Sequence, residues 1–201
     1  MRAKFSFVLP LALTALLSAW QIAAGHPGST PFATWAYTLG FGILLVASVW
    51  LILMGREVLN SVVGVWFAAL IPLSLSLGLV NEYAPTFTSA YLGFILIGWV
   101  GIAITRFMRA HPTLRVGAVA FVHGVAGLVI VGLPLLAFAL YQIRPFILGM
   151  SLGGAIIGIS GMILLWQRMG RSASKWDKWM ERLPWSLLFS TLCLVIGLNL
   201  R

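Results

Sequence analysis

A chain of 201 residues with 61% hydrophobic and 8% charged residues lacks the polar surface of a water-soluble domain, in which roughly 25% charge is usual. Its formal charge of +9 lies at the ends of apolar runs rather than on one soluble face, which argues against nucleic acid as a partner. The single cysteine, Cys193, excludes an internal disulfide and a cysteine-built metal cage.

Seven apolar segments, each near the roughly 20 residues that a helix needs to cross the hydrocarbon, are predicted at 5–25, 32–55, 58–80, 87–107, 115–141, 145–167 and 185–200. They predict an all-α integral membrane protein, a seven-transmembrane-helix bundle forming one domain over 1–201. The first segment follows Arg2 and Lys4 and ends in Ala23, Ala24 and Gly25, a pattern shared with secretory signal peptides; it is read as a retained helix. Its Thr14, Ser18 and Gln21 recur at helical spacing and form a polar stripe expected to face other helices rather than lipid. The third segment carries Pro72, a candidate break.

The fifth segment holds His123, the one titratable side chain well inside a span, roughly 13 Å along the helix from Leu114. Ala120 and Gly127 share its face and Gly124 adjoins it, which points the ring at a helix contact. An ionisable group at such depth is a candidate proton site, pigment or haem ligand, or donor to a quinone-like headgroup; the plain alternative is a neutral histidine bonded to a neighbouring helix. His26 falls in the loop after the first span and His111 in the loop before the fifth. Neither is level with His123, so one chain cannot give a haem two axial histidines. At most one ligand, through His123, is available to a cofactor, and no metal site is expected. Glu57, Glu82, Asp177 and Glu181 all lie at span ends or in loops, which leaves a general base without a partner and predicts no catalytic residue.

The sixth segment contains Gly149, Gly153, Gly154, Gly158 and Gly161, overlapping small-xxx-small pairs that allow close helix contact. Its Gly158-Ile159-Ser160-Gly161 resembles the nucleophile motif of rhomboid proteases, but no histidine follows Ser160 to activate it. In the loop from 168 to 184, Ser174 and Asp177 form a capping-box pattern and Pro184 marks the start of the next element. Trp176, Trp179, Met180 and Leu183 share one helical face, and Lys175, Lys178 and Arg182 another. The spacing predicts a short helix over about 175–183 in the membrane interface, with its basic groups towards anionic lipid.

With the amino terminus inside, eleven lysines and arginines fall on the inner side and only Arg144 and Arg201 outside. This predicts a cytoplasmic amino terminus and an external carboxyl terminus. A shift of 53 residues lays Leu39-Gly40-Phe41 on Leu92-Gly93-Phe94, Arg56 on Arg109 and Val63-Gly64 on Val116-Gly117, and Pro31, Pro85 and Pro145 each precede a Leu-Gly pair by seven or eight residues. The pattern fits a helical-hairpin repeat about an axis along the membrane normal; an apolar, glycine-rich alphabet also aligns with itself by chance.

The string Trp179-Met180-Glu181-Arg182-Leu183 leading into a final apolar helix, together with His123 opening an earlier glycine-rich helix, resembles a widespread bacterial family of small multi-helix membrane proteins of unknown function. The likeness covers the last third, and the first helices lack that family's polar motif; it implies no activity. The expected residence is the bacterial cytoplasmic membrane. The expected function is that of a non-catalytic subunit that packs, and holds pigment, quinone or lipid, within a larger membrane complex with other membrane subunits. The alternatives are a small transporter or channel for a neutral or lipid-like solute and, third, an intramembrane enzyme using His123.

Overall fold

The computed structural model describes residues 2–141, 143–168 and 177–200, with side chains left aside at 2–5, 60, 164–168 and 177–181. All the regular structure among them is helical: α1 (Arg2–Ala24), α2 (Pro31–Met54), α3 (Val62–Ala68), α4 (Leu70–Tyr83), α5 (Thr88–Phe107), α6 (Pro112–Tyr141), α7 (Leu148–Arg168) and α8 (Asp177–Asn199). Short 3-10 turns at Gly55–Asn60, Pro85–Phe87 and Pro145–Ile147 join them. Seven helical segments are long and apolar enough to cross a membrane, α3 and α4 acting together as one, Val62–Tyr83.

That third span is interrupted at the position proline chemistry dictates. Pro72 has no N–H to give the carbonyl of Ala68, and its ring crowds that carbonyl. The helix stops at Ala68, and Ala69 forms a one-residue joint whose N–H bonds to Val65 O at 3.1 Å before α4 resumes. A second difference from sequence expectation lies at Pro184. It does not open a new element; α8 runs through it from Asp177 to Asn199, so the backbone of the expected interfacial helix is continuous with the seventh span from Asp177 onward. Pro184 stands seven residues into α8, and a lipid-embedded helix tolerates the lost rung where neighbours pack around it, as they do here: Pro184 itself is buried.

Neighbour contacts run in a ring, α1–α2–α4–α6–α7–α8 and back to α1, with α5 outside it against α4 and α6. Tyr37 and Phe41 of α2, Leu75 and Leu79 of α4, Ile130 of α6, Met150 of α7 and Leu194 and Leu198 of α8 fill the middle of that ring as one core. A second core, of Ala69, Leu73, Ile95, Ile102, Val122 and Ala126, attaches α5. The polar stripe of α1 faces inward: Thr14, Ser18 and Gln21 are all fully buried. Thr14 and Ser18 spend their hydroxyls on carbonyls one turn back, at 2.8 Å each, which lets them lie against α2 and α8 without an unmet donor.

The turn after α5 has a residue at odds with its conformation. Ala110 N–H bonds to Thr105 O at 3.0 Å and Arg109 N–H to Arg106 O at 3.3 Å, the two bonds of a Schellman motif, with Arg109 at φ 52° in the left-handed position that glycine usually takes. A side chain there costs about 1 kcal/mol. Arg109→Gly is therefore expected to stabilise the fold by about 1 kcal/mol in detergent unfolding curves. An unchanged or lowered midpoint would mean that the arginine's own contacts outweigh the strain.

Candidate functional site

His123 sits a third of the way along α6, beside rather than on the stripe Val122, Ala126, Ile130, Pro134 and Ala137 that packs into the bundle. The ring is half-buried and its Nδ1 lies 3.1 Å from the carbonyl of Val119, one turn back. A carbonyl only accepts, so Nδ1 carries the hydrogen and the lone pair of the neutral ring is on Nε2, the atom free in character to accept a proton or ligate a cofactor. Arg106, in the last turn of α5, stands within electrostatic range of the ring. At 9% exposure it is folded into the bundle, although in the sequence it reads as one more charge marking a span end. In the second core, which attaches α5, Trp66 and Trp99 stack with centroids 4.3 Å apart, and Trp99 Nε1 donates to Trp66 O at 3.1 Å. The histidine thus has the Arg106 cation of α5 as its charged neighbour and a carbonyl of its own helix as its hydrogen-bond partner.

His26 and His111 are not brought to it. His111 is exposed at the turn before α6, and His26 lies at the opposite end of the bundle. Among the described residues no three of His, Cys, Asp and Glu gather as metal ligands would.

The seven glycines singled out by spacing divide into two groups. A Cβ on Gly149 would stand 2.7 Å from Cys193 O, one on Gly153 2.7 Å from Ser190 O, and one on Gly154 2.6 Å from a methyl of Ile130. Those three glycines form the seams of α7 with α8 and α6, and Gly197 of α8 answers them against Met150. Ser190 Oγ donates to Gly153 O at 2.7 Å and Ser151 Oγ to Val131 O at 2.7 Å, bonds that the close approach permits. Gly124, Gly127, Gly158 and Gly161, by contrast, have nothing within 4 Å of the Cβ position. Of the residues expected at the membrane interface, Lys175 and Trp176 lie outside the described residues. Lys178 and Trp179 fall in the first turn of α8 with their side chains not described, and Arg182 is exposed.

A polar cluster that spacing did not reveal lies at the end of the bundle carrying the carboxyl terminus. Gln21 of α1, His26 of the following turn, Tyr37 of α2, Glu82 of α4 and Asn199 of α8 meet there. Tyr37 donates to Glu82 Oε2 at 2.8 Å, and Gln21 Nε2 lies 3.1 Å from His26 Nδ1. The hydroxyl of Thr30 caps α2 by accepting from Ala33 N–H at 3.1 Å and donates to Asn81 of α4. The one advance sign was Gln21, since an amide on the inward stripe of a membrane helix needs partners. Their identity depended on a turn, 25–30, whose path follows from Gly25 and Gly28 at φ 75° and 79°. Compared with protein-family models, with curated proteins and with solved structures, the chain matches none.

Proposed function

We propose that this protein is a non-catalytic integral membrane subunit that packs within a larger membrane assembly, seated in the bacterial cytoplasmic membrane. The amino terminus is inside and the carboxyl terminus outside, and anionic lipid on the cytoplasmic side meets the basic residues Lys175, Lys178 and Arg182. The observation that carries the reading is the open quartet of glycines. The Ser151–Val131 bond and the Gly154–Ile130 contact set an antiparallel register that brings Gly158 and Gly161 about level with Gly127 and Gly124. Exposed backbone at one depth on two adjacent helices suits close approach by a further helix, for which small residues are the means in lipid. Exposed Phe121, Leu128, Ile159 and Met162 surround these glycines with apolar contact surface. His123 Nε2 is the atom that holds a pigment or quinone in the cofactor-bearing form of this subunit. The hairpin repeat fits as its architecture: Pro31 stands at the first position of α2, while Pro85 and Pro145 open the 3-10 turns leading into α5 and α7.

A second reading, a carrier of a neutral or lipid-like solute, is favoured by the joint at Ala69, since carriers use interrupted helices. The filled middle of the helix ring favours the subunit. The test is a cysteine placed at Gly124 or Gly161 in a Cys193→Ala background, treated with a short thiol cross-linker in native membranes, with an absorption spectrum of the purified protein. The subunit reading expects a cross-link to another chain, and a chromophore band lost in His123→Leu where a pigment is held. Cross-link-free protein with solute flux into liposomes would replace it by the carrier.

A further inference from the structure

The turn between α1 and α2 folds its histidine back into the bundle. His26 is 6% exposed, with its ring 5.3 Å from that of Tyr37 and 6.0 Å from that of Phe41. Two amides fix which of its nitrogens bears hydrogen. Asn199 Nδ2 donates to Val195 O at 2.8 Å and also to Gln21 Oε1; Gln21 Nε2 donates to Gly25 O at 2.9 Å. Carbonyls accept only, so neither amide can be turned over without facing donor to donor or acceptor to acceptor. The remaining N–H of Gln21 Nε2 is therefore the one that reaches His26 Nδ1 at 3.1 Å, and Nδ1 is the acceptor. The neutral ring carries its hydrogen on Nε2.

We propose that His26 is a proton-sensitive latch: its unprotonated Nδ1 ties the α1–α2 turn, through Gln21 and Asn199, to the end of α8, and a proton on Nδ1 opens that tie. A protonated Nδ1 donates, and it would face the NH2 of an amide that cannot rotate without losing both Gly25 O and Asn199. The ring must then leave its seat. Gln21 of α1 and Asn199 of α8 do not titrate, Phe41 of α2 is apolar, and Tyr37 of α2 is held by the Glu82 carboxylate of α4 through its own hydroxyl. The tie joins the first and last helices of the ring, which meet along α1 and α8. Opening it therefore releases the α1–α2 turn from the amide pair that joins α1 to α8, at the end of the bundle where the carboxyl terminus lies. The neutral form is the closed one, so closure is complete at alkaline pH and is lost as pH falls through the histidine range.

The experiment uses full-length protein in nanodiscs with 15N-labelled histidine. His111→Gln and His123→Gln identify the other two rings, leaving that of His26. At about pH 8 the His26 signals are expected to show an unprotonated Nδ1 and a protonated Nε2. Between about pH 8 and about pH 5 the wild-type unfolding midpoint is expected to fall by about 2 to 4 °C more than that of His26→Gln, whose side chain keeps polarity without titrating. Gln21→Glu, which offers a protonated Nδ1 an acceptor, should reverse that difference. A hydrogen on Nδ1 at about pH 8 overturns the proposal, and so does a His26→Gln protein that keeps the wild-type acid loss. If His26→Gln does not fold, the nitrogen signals of the unaltered ring and the Gln21→Glu profile decide.

Discussion

Gly153→Ala is expected to destabilise the protein severely, and Gly158→Ala, five residues along the same helix, to leave it as stable as before or slightly more so. The new methyl on Gly153 would stand 2.7 Å from the backbone oxygen of Ser190 and 3.0 Å from Leu194, and the first of these cannot swing aside. Relief requires α7 and α8 to separate, which lengthens the 2.7 Å bond from Ser190 Oγ to Gly153 O and unseats Gly149 from Cys193 at the same seam. Overpacking of this kind costs about 1 to 3 kcal/mol, and the strained backbone contact puts it at the top of that range. Against a total stability of about 5 to 15 kcal/mol the loss is large. At Gly158 the methyl meets nothing within 4 Å, and replacing a helical glycine returns about 0.5 to 1 kcal/mol of backbone entropy. Denaturant unfolding of the two variants in one detergent measures both. Equal effects would mean that the α7–α8 seam is looser than its geometry.

The second large effect is expected in assembly rather than in folding. Gly124→Leu combined with Gly161→Leu adds bulk where each glycine has open space, so the isolated chain is expected to fold and unfold as before. A partner helix seated over those positions would be held off by several ångströms, and association in lipid depends on that closeness because no hydrophobic effect drives it. Complete loss of the partner with an unchanged unfolding midpoint is the expected result, read from co-purification and unfolding in parallel. Loss of both would assign these glycines to the fold.

Much of the architecture was legible because lipid leaves a chain few choices. Backbone groups must bond within each segment, so apolar run lengths alone yield seven spans. The joint at Ala69 was legible in the same way from Pro72, once the proline is counted back four residues to the carbonyl it leaves unmet. Pro184 shows the limit of that rule: the same residue type lies inside α8 without ending it, because the chain packed around the site decides whether a lost rung matters. Glycine spacing identified helix faces but not their partners. Gly153 and Gly158 are equivalent in sequence pattern, and only the position of α8 separates a packed seam from an open face. Arg106 and His26 were the least legible. Each stands where a span meets a loop, and burial there depends on how a turn folds back, as the left-handed Arg109 and Gly25 direct it to do.

The claim that this chain is a packed subunit of a larger assembly is tested most directly by its mass when released from its own membrane into a mild detergent or directly from nanodiscs. Native mass spectrometry is expected to find the 21.8 kDa chain bound at a fixed ratio to at least one further membrane polypeptide, and to find that complex missing in the Gly124→Leu, Gly161→Leu protein. A wild-type chain that appears alone, carrying only exchangeable lipid, would contradict it.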